Sequence, residues 1–200
     1  MALITNIIQP RNYELIRDRI GLILAEEIQN QFALTANQDI NSTVYVERIV
    51  PFDKTEMPCL NVLLSRGGFG NNDVKQSDGT YTYFIDVYAK SKSTNGSNGD
   101  KLAMISLQKN IGIIIAILED TRYIRLGFTH PSISSTMVSD FAIADPSNNQ
   151  DASSIVMGRI TFTVRVPEKV ELINASDIDG WETSVTLEES DKGYVFTKYP

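Results

Sequence analysis

Residues 81–89 alternate as a strand: Tyr81, Tyr83, Ile85, Val87 and Ala89 fall on one face, with Asp86 and Lys90 on the other. A glycine, asparagine and serine loop follows at 91–99. Residues 100–120 then have helical length, opened by Asp100 as a cap. Period two giving way to period 3.6 across a soft loop is the pattern of a helix returning onto a sheet. Placed between an N-terminal helix and later strands, it predicts a compact α+β module.

The remaining elements fit that frame. A helix is expected from Pro10–Asn12 to the region 33–37, because Ile16, Ile20, Leu24, Ile28 and Phe32 step by four and Tyr13 and Ile23 widen the stripe. Strands are expected at 43–49, 59–65 and 81–89, with a fourteen-residue glycine-rich loop at 66–79. In the second helix Met104, Leu107, Ile111, Ile114 and Leu118 form the buried stripe. The smooth side made by Gly112 and Ala116 is expected to lie close against the sheet, the alternative being a seam with another subunit. Short strands are expected at 122–128 and 131–138, and a polar loop at 145–153. Residues 154–166 alternate most cleanly: Val156, Gly158, Ile160, Phe162, Val164 and Val166 on one face, Arg159, Thr161, Thr163 and Arg165 on the other. One wet face marks an antiparallel sheet covered on one side, and Pro167 is expected to end that strand. The reading is α+β: a mostly antiparallel sheet packed by two main helices in the order α-βββ-α-ββ. It divides into a domain at 1–167 and an acidic C-terminal arm at 168–200, extended or folded as a hairpin from 183–187 and 194–197.

The charge is unevenly placed. Of the net −7, residues 168–200 carry −5, from eight carboxylates and three lysines, which leaves −2 for the body. Neither part has the basic stripe that neutralising phosphates requires, so nucleic-acid binding is not expected. The longest apolar run, 111–118, is short and broken by Gly112, so no membrane span is expected. One cysteine, Cys59, excludes an intramolecular disulfide; its apolar surroundings predict a buried thiol.

Chemistry is scarce. The one histidine, His130, stands beside Pro131 without a serine or cysteine elbow. Asp177, Asp179 and Glu182 begin like a calcium loop but lack its later ligands. Gly67, Gly68 and Gly70 lack the lysine and serine or threonine of a phosphate loop. No catalytic residue, metal or cofactor is expected, and the chain is not expected to be an enzyme. The residues suited to contacts with neighbours are Arg66, Gly67, Gly68, Phe69, Gly70, Asn71 and Asn72 in the long loop. Phe84 and Tyr88 on the mixed strand face, Arg159 and Arg165 on the wet face, and Trp181, Tyr194 and Phe196 in the arm complete the set.

The segments at 13–31, 80–90 (TYTYFIDVYAK), 100–119 and 155–166 (IVMGRITFTVRV), in this order, resemble the tail terminator and tail-completion proteins of tailed bacteriophages. The likeness covers roughly residues 10–167 and is one of arrangement. It implies a structural virion protein of tail or neck, assembled in the host cytoplasm. Such a protein is a homo-oligomeric ring, a hexamer, that caps the tail tube and meets tube and neck or connector proteins while DNA passes its lumen unbound. The alternatives are another head–tail connector protein or a standalone α+β module binding a ligand or peptide.

Overall fold

The computed structural model describes residues 7, 10–73, 76–92, 98–128, 133–144, 153–169, 181–186 and 193–198. At 71–73, 76–77, 153–154, 169, 181–186 and 193–198 the description is confined to the backbone. Helix α1 spans Asn12–Thr35. The Glu14 carboxylate accepts from the Arg11 N–H at 2.8 Å, placing an anion at the positive end of the helix. The helix stops at Ala36, whose left-handed backbone (φ 50°) lets its N–H reach the Phe32 carbonyl. Ile16, Ile20, Ile23, Leu24 and Ile28 are buried, as their spacing predicts.

Helix α2 spans Gly99–Leu118 and buries Ala103, Leu107, Ile111, Ile114 and Leu118. It begins one residue earlier than expected, so Asp100 stands in the first turn while Asn98 holds the cap position. By length and composition α2 as a whole is apolar enough to cross a membrane, contrary to the reading of its longest apolar run. One side of it packs into the core. Gly112 and Ala116 do not face the sheet: both are exposed, and a Cβ on Gly112 would meet nothing within 4 Å. The close approach is made from the sheet side, by Gly158, where a Cβ would stand 2.7 Å from the Ile111 Cδ1.

Five strands form one sheet in the order β1-β2-β3-β5-β4: β1 Thr43–Val46, β2 Cys59–Asp73, β3 Gln76–Lys92, β4 Ser135–Ile143 and β5 Ser153–Lys169. Only the β1–β2 pair is parallel. The inner face of this sheet carries Leu60 and Val62 of β2, Tyr81, Tyr83, Ile85 and Val87 of β3, and Ile160, Phe162 and Val164 of β5. Helix α1 meets β1 and β2, α2 meets β3 and β5, and all share one buried core. Gly21 of α1 lets Val46 approach: a Cβ there would lie 2.6 Å from the valine Cγ2.

Further expectations are corrected. The predicted loop at 66–79 is mostly strand: β2 continues to Asp73 and β3 starts at Gln76, so the glycines lie in a paired hairpin. Residues 122–128 are no strand. Thr121–Tyr123 is a 3-10 turn, and the left-handed Leu126 (φ 50°) and Gly127 (φ 70°) carry the chain away from extended structure. Leu126 is buried, and its carbonyl accepts from the Arg19 Nε at 2.8 Å, so tertiary contacts hold this turn. Pro167 does not end β5, which runs to Lys169 with Pro167 opposite Asp78. The described pairing with β4 reaches only Arg165, so among the described residues the proline has one strand neighbour and a missing N–H is tolerated. Strand β4 also begins later than 131, at Ser135, and β1 ends at Val46, short of 49.

The chain divides into two units, Pro10–Lys169 and a second drawn from Met1–Gln9 and Val170–Pro200. Within the second, β6 (Trp181–Thr186) and β7 (Gly193–Lys198) pair antiparallel, Thr183 opposite Phe196, close to the hairpin read from the sequence. His130, the 145–152 part of the predicted loop and the calcium-like residues 177–180 lie outside the described residues.

Candidate assembly surface

On the sheet face away from the helices, among the described residues, the segment 47–58 folds back from β1. Asn61 of β2 holds it from below. Its Oδ1 accepts from the Arg48 N–H at 3.2 Å, and its Nδ2 donates to the Arg48 carbonyl at 2.8 Å. The Arg48 guanidinium forks onto Glu56 at 2.7 and 2.9 Å and lies over the Tyr45 and Phe52 rings, 4.6 and 4.4 Å from their centroids. Phe52 in turn contacts Tyr45 and Tyr88, at 5.2 and 4.9 Å between ring centroids. Glu56 also accepts from the Asp53 N–H at 2.8 Å, and the Lys90 ammonium donates to the Lys54 carbonyl. The guanidinium of Arg48, with the Asp53 N–H, holds the Glu56 carboxyl down to about 2. From this braced segment Ile49 and Val50 project into solvent, 93% and 67% exposed.

At the centre of the outer face Asp86 is buried, 2% exposed, and takes a two-point hydrogen bond from Arg159 at 2.6 and 2.9 Å. The guanidinium lies 4.3 Å over the Phe84 ring. Sequence alternation had marked Phe84, Tyr88 and Arg159 as contact residues. The sheet register gathers them on one face, but each is already engaged within the protomer, by Arg159, Phe52 and Asp86 respectively. Arg66 and Arg165 are exposed on the same face, opposite Thr82 and Thr80. At the far sheet edge β4 exposes Met137 (57%) and Phe141 (54%).

The hairpin that extends β2 and β3 is organised around Tyr81. Phe69, exposed, meets its ring edge-on at 6.0 Å, and Tyr13 of α1 does the same at 5.8 Å. The Tyr81 hydroxyl donates to Glu168 of β5 at 2.5 Å, and burial together with this carboxylate pushes the phenol pKa well up. Gly79 leaves room for the ring: a Cβ there would stand 2.8 Å from the Tyr81 hydroxyl oxygen, whereas one on Gly67 would only touch the ring at ordinary contact distance. Glycine here serves aromatic packing on a strand, a use invisible to a reading that counts glycine as loop. Gly68 and Gly70 lie on the opposite side of the hairpin, and Asn71 and Asn72 are strand residues of β2.

No protein-family model matches the chain, and no curated protein matches it significantly.

The sequence reading missed the bracing residues Tyr45, Arg48, Phe52, Glu56 and Asn61. Their partners come from three strands, and only tertiary structure joins them. Backbone positions of Trp181, Tyr194 and Phe196 lie in β6 and β7; their side chains are outside the described residues. Among the described residues, no group of three or more His, Cys, Asp or Glu is placed to hold a metal ion. Every buried side-chain nitrogen or oxygen described has a hydrogen-bond partner, so none is left aimed at a missing ligand. Cys59 is buried as expected, and burial pushes its thiol up to about 11, away from nucleophilic chemistry.

Proposed function

We propose that this chain is a structural virion protein of a tailed bacteriophage, a tail terminator or related neck component. It forms a homo-oligomeric, sixfold ring at the end of the tail tube, contacts tube and connector proteins, and lets DNA pass without specific binding. The observation that carries this reading is the pairing of two unlike apolar surfaces on one protomer. Ile49 and Val50 project on the β1–β2 side of the sheet, and Met137 and Phe141 on β4 at the other edge. Two different patches make a head-to-tail contact, and a head-to-tail contact that closes on itself makes a ring. The long β2–β3–β5 extension with its exposed Phe69 offers a further surface for a differently built neighbour. A near-neutral body suits a lumen that does not retain phosphates.

Electron microscopy of the purified chain, alone and mixed with tail tubes, tests this. Rings in solution or capping tube ends are expected. A monomer that ignores tubes would overturn the reading in favour of a standalone ligand- or peptide-binding module.

A further inference from the structure

We infer that Tyr81 is a clasp joining the start of α1 to the end of β5, so that the two ends of the Pro10–Lys169 unit open and close as one. Both connections to the second unit leave the body at these ends, before Pro10 and after Lys169. The sequence separates the ends by almost the whole unit, and β3 brings them together. From β5, the Glu168 carboxylate accepts from the Tyr81 hydroxyl at 2.5 Å, and both residues are buried. From α1, the Tyr13 ring meets the Tyr81 ring edge-on at 5.8 Å. The Tyr13 carbonyl also accepts from the hydroxyl of Tyr83, the next residue on the same strand face, at 2.8 Å. Burial and the carboxylate push the Tyr81 phenol pKa well up, so the hydroxyl stays the donor.

The clasp lies where backbone pairing holds least. Among the described residues the last three of β5 pair with β3 alone: Pro167 opposite Asp78, Glu168 opposite Ser77 and Lys169 opposite Gln76. Pro167 brings no N–H to that ladder. A strand end with one neighbour and a missing donor opens at low cost, and the Glu168 bond ties it to the buried core through Tyr81. The first turn of α1 is in a similar position. Its leading N–H groups have no carbonyl partner within the helix, and Tyr13 is the first apolar residue of α1 packed against the core. Little slack remains between the parts. A Cβ on Gly79 would already crowd the Tyr81 hydroxyl oxygen at 2.8 Å and the Glu168 Cγ at 3.1 Å, and Phe69 meets the ring at 6.0 Å. A ring held this way cannot leave Glu168 without moving against Tyr13, and the reverse holds. Two local equilibria that share one group are coupled equally in both directions. A pull or a binding event felt at either connection is thereby carried to the other, and to the middle strand of the sheet.

Hydrogen exchange of the full chain, read by mass spectrometry, tests the coupling from each end. Tyr13→Ala removes the α1 ring, leaves a good helix former in place and does not touch Glu168. It is expected to speed exchange about tenfold in peptides covering residues 164–169. Glu168→Gln keeps the side-chain shape and replaces the carboxylate with a neutral acceptor. It is expected to speed exchange about fivefold in peptides covering residues 12–16. An effect confined to the altered end, in either variant, would overturn the clasp. A rise of the same size in residues 84–88 of β3 would do so too, because the whole unit and not its ends would then be responding. Tyr81→Phe removes one oxygen and keeps the ring; both ends are expected to exchange faster together, and an unchanged rate at either one counts against the inference. Combining Tyr13→Ala with Glu168→Gln is expected to give less than the product of the two single effects. The full product would mark two independent contacts and no clasp.

Discussion

Gly79 lies beneath the Tyr81 phenol, and the smallest addition to it reads out the hairpin. A methyl group there would meet the Tyr81 hydroxyl oxygen at 2.8 Å, its Cζ at 2.9 Å and the Glu168 Cγ at 3.1 Å. A phenol ring cannot fold out of the way as a flexible chain end can. Gly79→Ala should therefore cost about 1–3 kcal/mol of stability by denaturant unfolding and weaken the Tyr81–Glu168 bond. Gly112 is the counter-case: open space surrounds it on an exposed helix side. Gly112→Ala should stabilise the protomer by about 0.5–1 kcal/mol in the same assay. Glu56 supplies the pH dependence. Its folded pKa is depressed from 4.5 to about 2, first by the Arg48 hydrogen bond and then by the Asp53 N–H. Its contribution is thus fully present above pH 4.5 and is lost as pH falls toward 2. Amide exchange in residues 48–56, measured on the monomer, should accelerate across that window relative to exchange in β3. Equal acceleration in both segments would mean that Glu56 does not brace the loop.

At the scale of elements, what could be read from the chain and what could not have separate physical origins. The stretches 81–89 of β3 and 156–166 of β5 were legible because each buries one face, and Ile85, Val87, Ile160 and Phe162 follow the period that burial imposes. Helix α1 was legible for the same reason at period 3.6. The hairpin extension was not, because it is held by backbone pairing and by Tyr81 lying over Gly79, and neither leaves an apolar alternation. Residues 122–128 misled in the opposite sense. Tyr123, Ile124, Leu126 and Phe128 give strand-like spacing, yet Tyr123 donates to the Glu27 carboxylate at 2.6 Å and Leu126 is drawn into the core from a turn. A short apolar run does not say which buried surface it will serve. The braced loop after β1 was hidden for a related reason: the Arg48 fork, the Asn61 clamp and the Phe52 ring contacts join residues from separate strands.

For the whole molecule, the fold assigns its two sheet faces different work. The inner face is consumed by two helices and a continuous apolar core. The outer face carries an ion pair at Asp86 and Arg159, a pinned loop and several exposed side chains. That division sets the residues engaged within the protomer apart from those that are not. Phe84, Tyr88 and Arg159 serve the protomer itself, whereas Ile49, Val50, Met137 and Phe141 remain unspent. The account stands on those unspent residues joining copies of the chain head to tail. Native mass spectrometry of the full chain over a concentration series, alone and after incubation with tail tubes, asks this most directly. A single closed species of six copies, with no ladder of open intermediates at saturation, is the predicted result. A monomer at every concentration and on every tube preparation, or a twofold dimer that grows no further, would contradict it.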